Sequence, residues 1–430
     1  MKKINIVTLG CSKNTVDSEN VAGHLKDAGF IVRFDDDKNT ADIVIINTCG
    51  FIGDAKEESI SAILEYAELK RRKKNPQKII VCGCLSQRYA DDLRAEIPEV
   101  DAFYGVNDWS KLLSDIIEEY SETEFTSRRV VSTPKHYAYL KIAEGCNRSC
   151  SYCAIPLIRG RFVSRPIDDL VQEAKRLVAR GVKELLVIAQ DTTYYGMDIY
   201  GKRALAELLE RLALESGAKW IRLHYTFPSS FPDDVIEVMK KYDCICNYID
   251  IPLQHISTDV LTSMKRGIDK QGTLALMQMF REKLPDVAIR TALIVGYPNE
   301  TEDDFEQLKE FVRDMRFDRL GVFCYSAEEG TPSFPLGDTI SDEEKQRRME
   351  GIMGLQETIS IEKNSEKLGK EYMVLIDRLE GDFWVGRTEY DSPEIDNEVL
   401  ISAEEDLKVG QFYKVKITEA MEYDLMAELC

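Results

Sequence analysis

The chain has 430 residues, 44% of them hydrophobic, and 56 Lys plus Arg against 76 Asp plus Glu give it a formal net charge of −20. That length exceeds one hydrophobic core and implies about two to four domains. No apolar run approaches a membrane span, the acidic balance argues against a broad phosphate-binding surface, and an odd number of cysteines, eleven, favours metal or redox use over a disulfide framework.

The opening MKKINIVTLG reads as a first strand and not as a secretory signal. Ile4–Gly10 is a β-branched run ending at Cys11, Ala41–Thr48 ends at Cys49, and Lys78–Gly83 ends at Cys84. The helical patterns SENVAGHLKDAG and AKEESISAILEYAELK separate these runs, so the unit is a repeated β-α and predicts a doubly wound parallel α/β domain over 1–118. Ligands of such sheets bind outside the carboxyl ends of the strands. Cysteines at three such ends therefore point to a three-thiolate metal site of Cys11, Cys49 and Cys84. The competitor Cys82 goes to the core because it lies inside the apolar run, whereas Cys84 follows Gly83 at the turn. Any one of them alone would be a small core residue; the repetition weighs against that. KRRKK (Lys70–Lys74) reads as a solvated loop.

EYSETEFTSRRVVSTPK (119–135) is polar and aperiodic, which suits a linker. Six strand runs then alternate with helices over 136–365: Tyr137–Ala143, Glu184–Gln190, Trp220–Thr226, Asn247–Leu253, Ala288–Gly296 and Arg319–Ser326. They predict an incomplete (β/α)6 barrel with function at the strand carboxyl ends. The first strand is followed by EGCNRSCSYC, which places Cys146, Cys150 and Cys153 in a C-x3-C-x2-C loop. Thiolate is the soft ligand of iron–sulfur clusters, and a closed structural zinc site wants four protein ligands. Between Ala154 and Leu223 there is no further Cys or His, so the loop predicts a cluster with one open iron. A zinc loop with a distant fourth ligand is the alternative. Strand-end position also nominates Gln190 and Asp191, Gln254 and His255, and Ile294, Gly296 and Pro298; His255 is given no role. Arg159, Arg161 and Arg165 either meet a carboxylate or partner or lie on solvated surface.

Ser341 opens a helix with a Ser-x-x-Glu capping box. Beyond Gly369 short strands and turns predict a small antiparallel β-barrel over 366–430. Residues 368–430 carry six Lys plus Arg and sixteen Asp plus Glu, a net of −10. Such a surface repels an RNA backbone and steers a basic protein segment.

The cysteine loop, with aromatic Tyr152 before its last Cys, resembles the signature of radical S-adenosylmethionine enzymes. LGCSKN, INTCGFI and CGCLSQR resemble the N-terminal domain of the methylthiotransferase branch, and the C-terminal barrel resembles by position its TRAM domain. AQDTTYYG, YSAEEGT and SPEIDNEV resemble the members that modify an aspartate of ribosomal protein S12. The resemblance implies two [4Fe-4S] clusters. One, on Cys146, Cys150 and Cys153, binds S-adenosylmethionine, with Tyr152 and the Gly-containing strand near its adenine; Gln190, Ile294 and Gly296 are the further cofactor contacts. The other, on Cys11, Cys49 and Cys84, carries the sulfur to be delivered. The implied reaction generates a radical that abstracts hydrogen from the aspartate β-carbon, which then captures the methylthio group. It also implies a cytoplasmic enzyme served by an electron donor such as flavodoxin or ferredoxin; the TRAM resemblance points toward RNA, while the acidic charge argues against direct nucleic-acid binding and the short apolar runs against membrane attachment. A methylthiotransferase acting on tRNA adenosine is the nearest alternative. A non-catalytic two-cluster electron-transfer or carrier protein is the other, and a substrate-sized barrel crevice argues against it.

Overall fold

The computed structural model describes residues 1–36, 40–72, 74–118, 120 and 128–430. Lys73 of the KRRKK run and residues 119 and 121–127 of the predicted linker lie outside the described residues. The chain divides into two compact units, one of Met1–Thr133, Glu144–Arg148 and Ala154–Phe162, the other of Pro134–Ala143, Ser149–Cys153 and Val163–Cys430.

The first unit is built on five parallel strands, β1 (Lys3–Thr8), β2 (Ile31–Phe34), β3 (Ile43–Thr48), β4 (Lys78–Gly83) and β5 (Ala102–Phe103), in the order β2-β1-β3-β4-β5. Helices α1 (Ser12–Asp27), α2 (Gly53–Arg71), α3 (Cys84–Glu96) and α4 (Trp109–Ile116) connect and cover them. Alternate residues of one strand enter opposite cores, which is why the strands read as continuous apolar runs. Ile43, Ile45, Ile80 and Cys82 pack with Leu25, Trp109 and Leu112, while Val44, Ile46, Ile79 and Val81 pack with Ile63, Tyr66 and Leu93. Each aliphatic side chain buried this way stabilises by roughly 1.5–3 kcal/mol. At the end of α2, Lys70 and Arg71 pair with Asp101 and Glu99, so these two basic side chains are held in place.

The second unit contains a six-stranded parallel sheet in sequential order: β6 (Tyr137–Lys141), β9 (Glu184–Ile188), β10 (Trp220–Leu223), β11 (Ile245–Asp250), β12 (Ala288–Val295) and β13 (Arg319–Cys324). A short pair, β7 (Ala143–Glu144) with β8 (Val163–Ser164), forms a separate two-stranded ribbon. The helices following it in the chain are α5 (Ile155–Arg159), α6 (Ile167–Ala179), α7 (Leu205–Glu215), α8 (Asp233–Lys241), α9 (Thr258–Ser263), α10 (Lys270–Lys283), α11 (Glu302–Met315) and α12 (Asp342–Ser365). The sheet does not close, as expected of a six-unit barrel. Ser341 caps α12 by accepting from the Glu344 N–H at 3.3 Å, but only this half of the expected box forms. The Glu344 carboxylate turns instead to Arg347 and Arg348. A complete box stands at α11, where Thr301 and Asp304 exchange both bonds.

The C-terminal strands β14 (Glu371–Glu380), β15 (Phe383–Arg387), β16 (Val399–Ser402), β17 (Phe412–Ala420) and β18 (Leu425–Leu429) close into a barrel in the order β14-β15-β16-β18-β17. All pairings are antiparallel except β16 with β18, which is parallel. The loop 388–397 between β15 and β16 reaches the six-stranded sheet through polar anchors. Arg222 donates to the Glu389 carbonyl at 2.6 Å, Arg319 to Asp391 at 3.0 Å, Tyr248 to Asp396 at 2.7 Å and Tyr137 to Glu394 at 2.7 Å. Glu184, fully buried, accepts from Arg222 at 2.7 Å and Arg387 at 2.5 Å, and Arg387 continues to Asp377 at 2.8 Å. The acidic SPEIDNEV segment is therefore partly spent on internal pairing. No helix among the described residues is long and apolar enough to cross a membrane.

Candidate functional site

Cys11, Cys49 and Cys84 follow the carboxyl ends of β1, β3 and β4, three neighbouring strands of one sheet. Cys11 is the N-cap of α1 and Cys84 the first residue of α3. Position 10 accepts only glycine: φ is +90°, and a Cβ there would lie 2.6 Å from the Cys49 Cβ and 2.9 Å from its sulfur. Gly50 likewise lies backbone to backbone against the Cys84–Leu85 peptide, where a Cβ would come within 2.8 Å of the Cys84 carbonyl carbon. Asn14 ties two strand ends together by donating to Leu9 O at 2.8 Å and Thr48 O at 3.1 Å.

The thiols share one electrostatic environment. Burial pushes Cys84 up to about 12, with Arg159 opposing and Cys11 and Cys49 adding to the rise. Burial also raises Cys49. At Cys11 burial acts upward too, yet the Lys13 and Arg159 charges and the Asn14 and Lys13 N–H groups bring the thiol below its usual value. Arg159 is the organising cation, only 3% exposed. Its Nη1 donates to both Glu144 oxygens at 2.9 Å and to Asp17 at 3.2 Å, and its Nη2 donates to Asn14 Oδ1 at 2.5 Å and the Cys84 sulfur at 3.6 Å. Of the three arginines in LIRGRFVSR, Arg159 is thus buried, Arg165 pairs with Glu173 at 2.7 Å, and Arg161 is exposed.

Among the described residues no group of three or more His, Cys, Asp or Glu is arranged to hold a single metal ion. A cubane gives each thiolate its own iron, so cluster ligands stand wider apart than the ligands of one ion. Three soft donors beside two cations that favour thiolate fit such a cluster.

In the second cysteine segment, Gly145 (φ +76°) lets the chain lie against Gly160–Arg161, and the Cys146 N–H donates to Gly160 O at 3.1 Å. The Arg148 N–H donates to the Cys146 sulfur at 3.4 Å, and the Cys153 N–H to Cys150 O at 3.1 Å. Tyr152 and Ile294 meet in one apolar cluster with Val260, Met264, Tyr297 and Tyr325. Gln190 lies half-buried just past β9. Gly296 (φ +75°) faces Lys345 of α12, whose Cγ a Cβ would overlap, so helix packing by itself accounts for glycine there. His255 is fully buried and accepts from the Ser257 N–H at 3.0 Å, an internal structural role.

Sequence patterning did not single out Arg266. It is buried, donates through Nη1 to the Cys150 sulfur and to Tyr152 Oη, each at 3.3 Å, and through Nη2 to Pro252 O at 2.5 Å. The guanidinium lies 4.2 Å from the Phe227 ring centroid. Its Nε is buried with no hydrogen-bond partner among the described residues, a donor that a bound group would satisfy. No periodicity marks an arginine in a connection between two helices, so only the fold reveals it.

An open parallel sheet carrying a three-cysteine loop after its first strand defines the radical S-adenosylmethionine class, and the model of that superfamily matches residues 140–312. The model described as Uncharacterized protein family UPF0004 matches residues 3–105, and the TRAM domain model matches residues 368–430. The ribosomal protein uS12 methylthiotransferase RimO of Phocaeicola vulgatus is 53% identical over 428 residues, covering 99% of each chain. The protein of the same name from Flavobacterium psychrophilum is 55% identical over 427 residues, covering 99% of this chain and 98% of its own. The chain belongs to this family, the ribosomal protein uS12 methylthiotransferases. Among solved structures, the radical S-adenosylmethionine methyltransferase TsrM from Kitasatospora setae, with cobalamin and a [4Fe-4S] cluster bound, superposes with a TM-score of 0.56 at 15% identity over 77% of each chain, a likeness of fold.

Proposed function

We propose that the chain adds a methylthio group to the β-carbon of an aspartate of ribosomal protein S12, in the cytoplasm, with electrons from a flavodoxin- or ferredoxin-like donor. The observation that carries this reading is the end-to-end likeness, 53% identical over 99% of both chains, to a protein named for that reaction. Cys146, Cys150 and Cys153 would hold one [4Fe-4S] cluster and Cys11, Cys49 and Cys84 a second. Bound cluster and S-adenosylmethionine supply the one-electron chemistry that an unactivated C–H bond requires and that side-chain acids and bases cannot provide. Lys13 and Arg159 would favour the ligating thiolate at Cys11, and Arg159 would oppose the burial that raises Cys49 and Cys84. Tyr152 and Ile294 would present the apolar wall against which S-adenosylmethionine packs and excludes water, with Gln190 and Gly296 completing the contacts. On the C-terminal barrel, exposed Glu404, Glu405 and Asp406 remain outward and would steer a basic protein segment.

Anaerobic reconstitution followed by iron analysis tests the cofactor content, with about eight irons per chain for two cubanes. Reconstituted protein is then given S-adenosylmethionine and reductant, with ribosomal protein S12 and tRNA in parallel reactions. The methylthio mass gain belongs on S12; a gain on tRNA alone, or no 5′-deoxyadenosine in either reaction, rejects the reading.

A further inference from the structure

We propose that Arg266 is a positioning residue that sets the reduction potential of the cluster held by Cys146, Cys150 and Cys153, by donating to the Cys150 sulfur from a dry, fixed guanidinium. The inference rests on Cys150 being a cluster ligand.

Four contacts fix the side chain: Cys150 Sγ and Tyr152 Oη from Nη1, Pro252 O from Nη2, and the Phe227 face. At 3% exposed, the charge is screened little by water. A cation stacked on an aromatic ring and tied to a backbone carbonyl cannot swing away when the cluster changes charge.

The consequence follows from charge bookkeeping. A [4Fe-4S]2+ core with three thiolates carries −1, and one-electron reduction takes it to −2. A hydrogen-bonded cation at a ligand sulfur stabilises the more negative state, so it raises the potential; hydrogen bonds to the sulfurs and local charge are established levers on cluster potential. The electron donor supplies the electron, and no bond to Arg266 forms or breaks. The shared Nη1 donor couples this effect to geometry, because it holds Tyr152 and Cys150 at one point.

The test is an EPR-monitored redox titration of the anaerobically reconstituted full chain, following the signal that changes when S-adenosylmethionine is added. Arg266→Gln removes the charge, Arg266→Met removes it without burying a new polar group, and Arg266→Lys keeps it. Loss of the charge is expected to shift the reduction equilibrium at least tenfold toward the oxidised cluster, ~59 mV more negative for one electron. The Lys variant is expected to stay within threefold of the parent. A shift of less than twofold in both neutral variants overturns the proposal, as does an equal shift in the Lys and neutral variants. Loss of iron in both neutral variants while the Lys variant stays loaded also overturns it, since the role is then structural. Absence of any S-adenosylmethionine-sensitive signal in the parent protein rejects the functional reading itself, a separate failure.

Discussion

Arg159 and Cys84 meet in the first unit, guanidinium Nη2 to sulfur at 3.6 Å, although 75 residues separate them in sequence. The same guanidinium answers two carboxylates, Asp17 and Glu144. Replacing Arg159 with Met leaves both carboxylates without their buried partner, a change that costs about 3–5 kcal/mol. The expected outcome is a lower thermal midpoint, together with iron falling from about eight to about four per chain as the N-terminal cluster is lost. Unchanged iron in a stable Arg159→Met protein would contradict this placement.

Gly10→Ala should remove the same cluster by a steric route, because the added methyl both strains a positive-φ backbone and meets Cys49. Gly53→Ala is the contrasting control. Its Cβ meets nothing within 4 Å at the start of α2, so stability should hold or rise by about 0.5 kcal/mol. Sulfide and iron analysis of the two variants side by side checks the pair.

Gly296→Ala is expected to weaken S-adenosylmethionine binding indirectly, by pushing on Lys345, which is 3% exposed and bonded to Asp338 at 2.5 Å. Adding Lys345→Ala should recover much of the loss, a coupling visible in a double-mutant cycle. Equal affinities for the single and double variants, measured by equilibrium dialysis, would place the effect at the cofactor instead.

Acid should unfold the second unit through its buried carboxylates. At Asp250 burial acts upward, yet the His224 hydrogen bond and the Arg290 charge hold the group well below the usual carboxylate range. Glu184, Asp377 and Asp391 are likewise depressed, burial acting upward in each and neighbouring arginines prevailing. A depressed carboxylate contributes stability that is complete above its unfolded value, near 4, and is lost as pH falls through the lower folded value. Thermal midpoints should therefore be level from neutral pH to about 5 and decline below about 4; a midpoint still level at about pH 3 would refute the assignment.

The six strands of the open sheet were legible because short apolar runs are local signals, and the repeated strand–Cys pattern located Cys11, Cys49 and Cys84 after the ends of three neighbouring strands. Cys82 and Cys84 separate because β4 ends at Gly83 (φ +96°) and α3 begins at Cys84, while Cys82 stays in the core on the same face as Ile80. Arg159 was legible only as a choice between a carboxylate partner and solvated surface, and Arg266 not at all: whether an arginine is solvated or buried is decided by residues far away in sequence, here Asp17 and Pro252. Gly296 is the reverse case, where a glycine nominated for a cofactor contact also has a packing reason supplied by a helix some 50 residues on. The acidic run in 388–397 reads as outward charge in sequence, and only its partners on the sheet reveal that Asp391 and Asp396 face inward.

That loop also fixes where the molecule can be cut. Removing the C-terminal domain at residue 366 would take an acceptor from each of Arg222, Arg319, Tyr248 and Tyr137 at once, so a truncated catalytic core should be insoluble rather than merely less selective. A functional graft of this domain between relatives must carry its loop and those four strand residues as one inherited block.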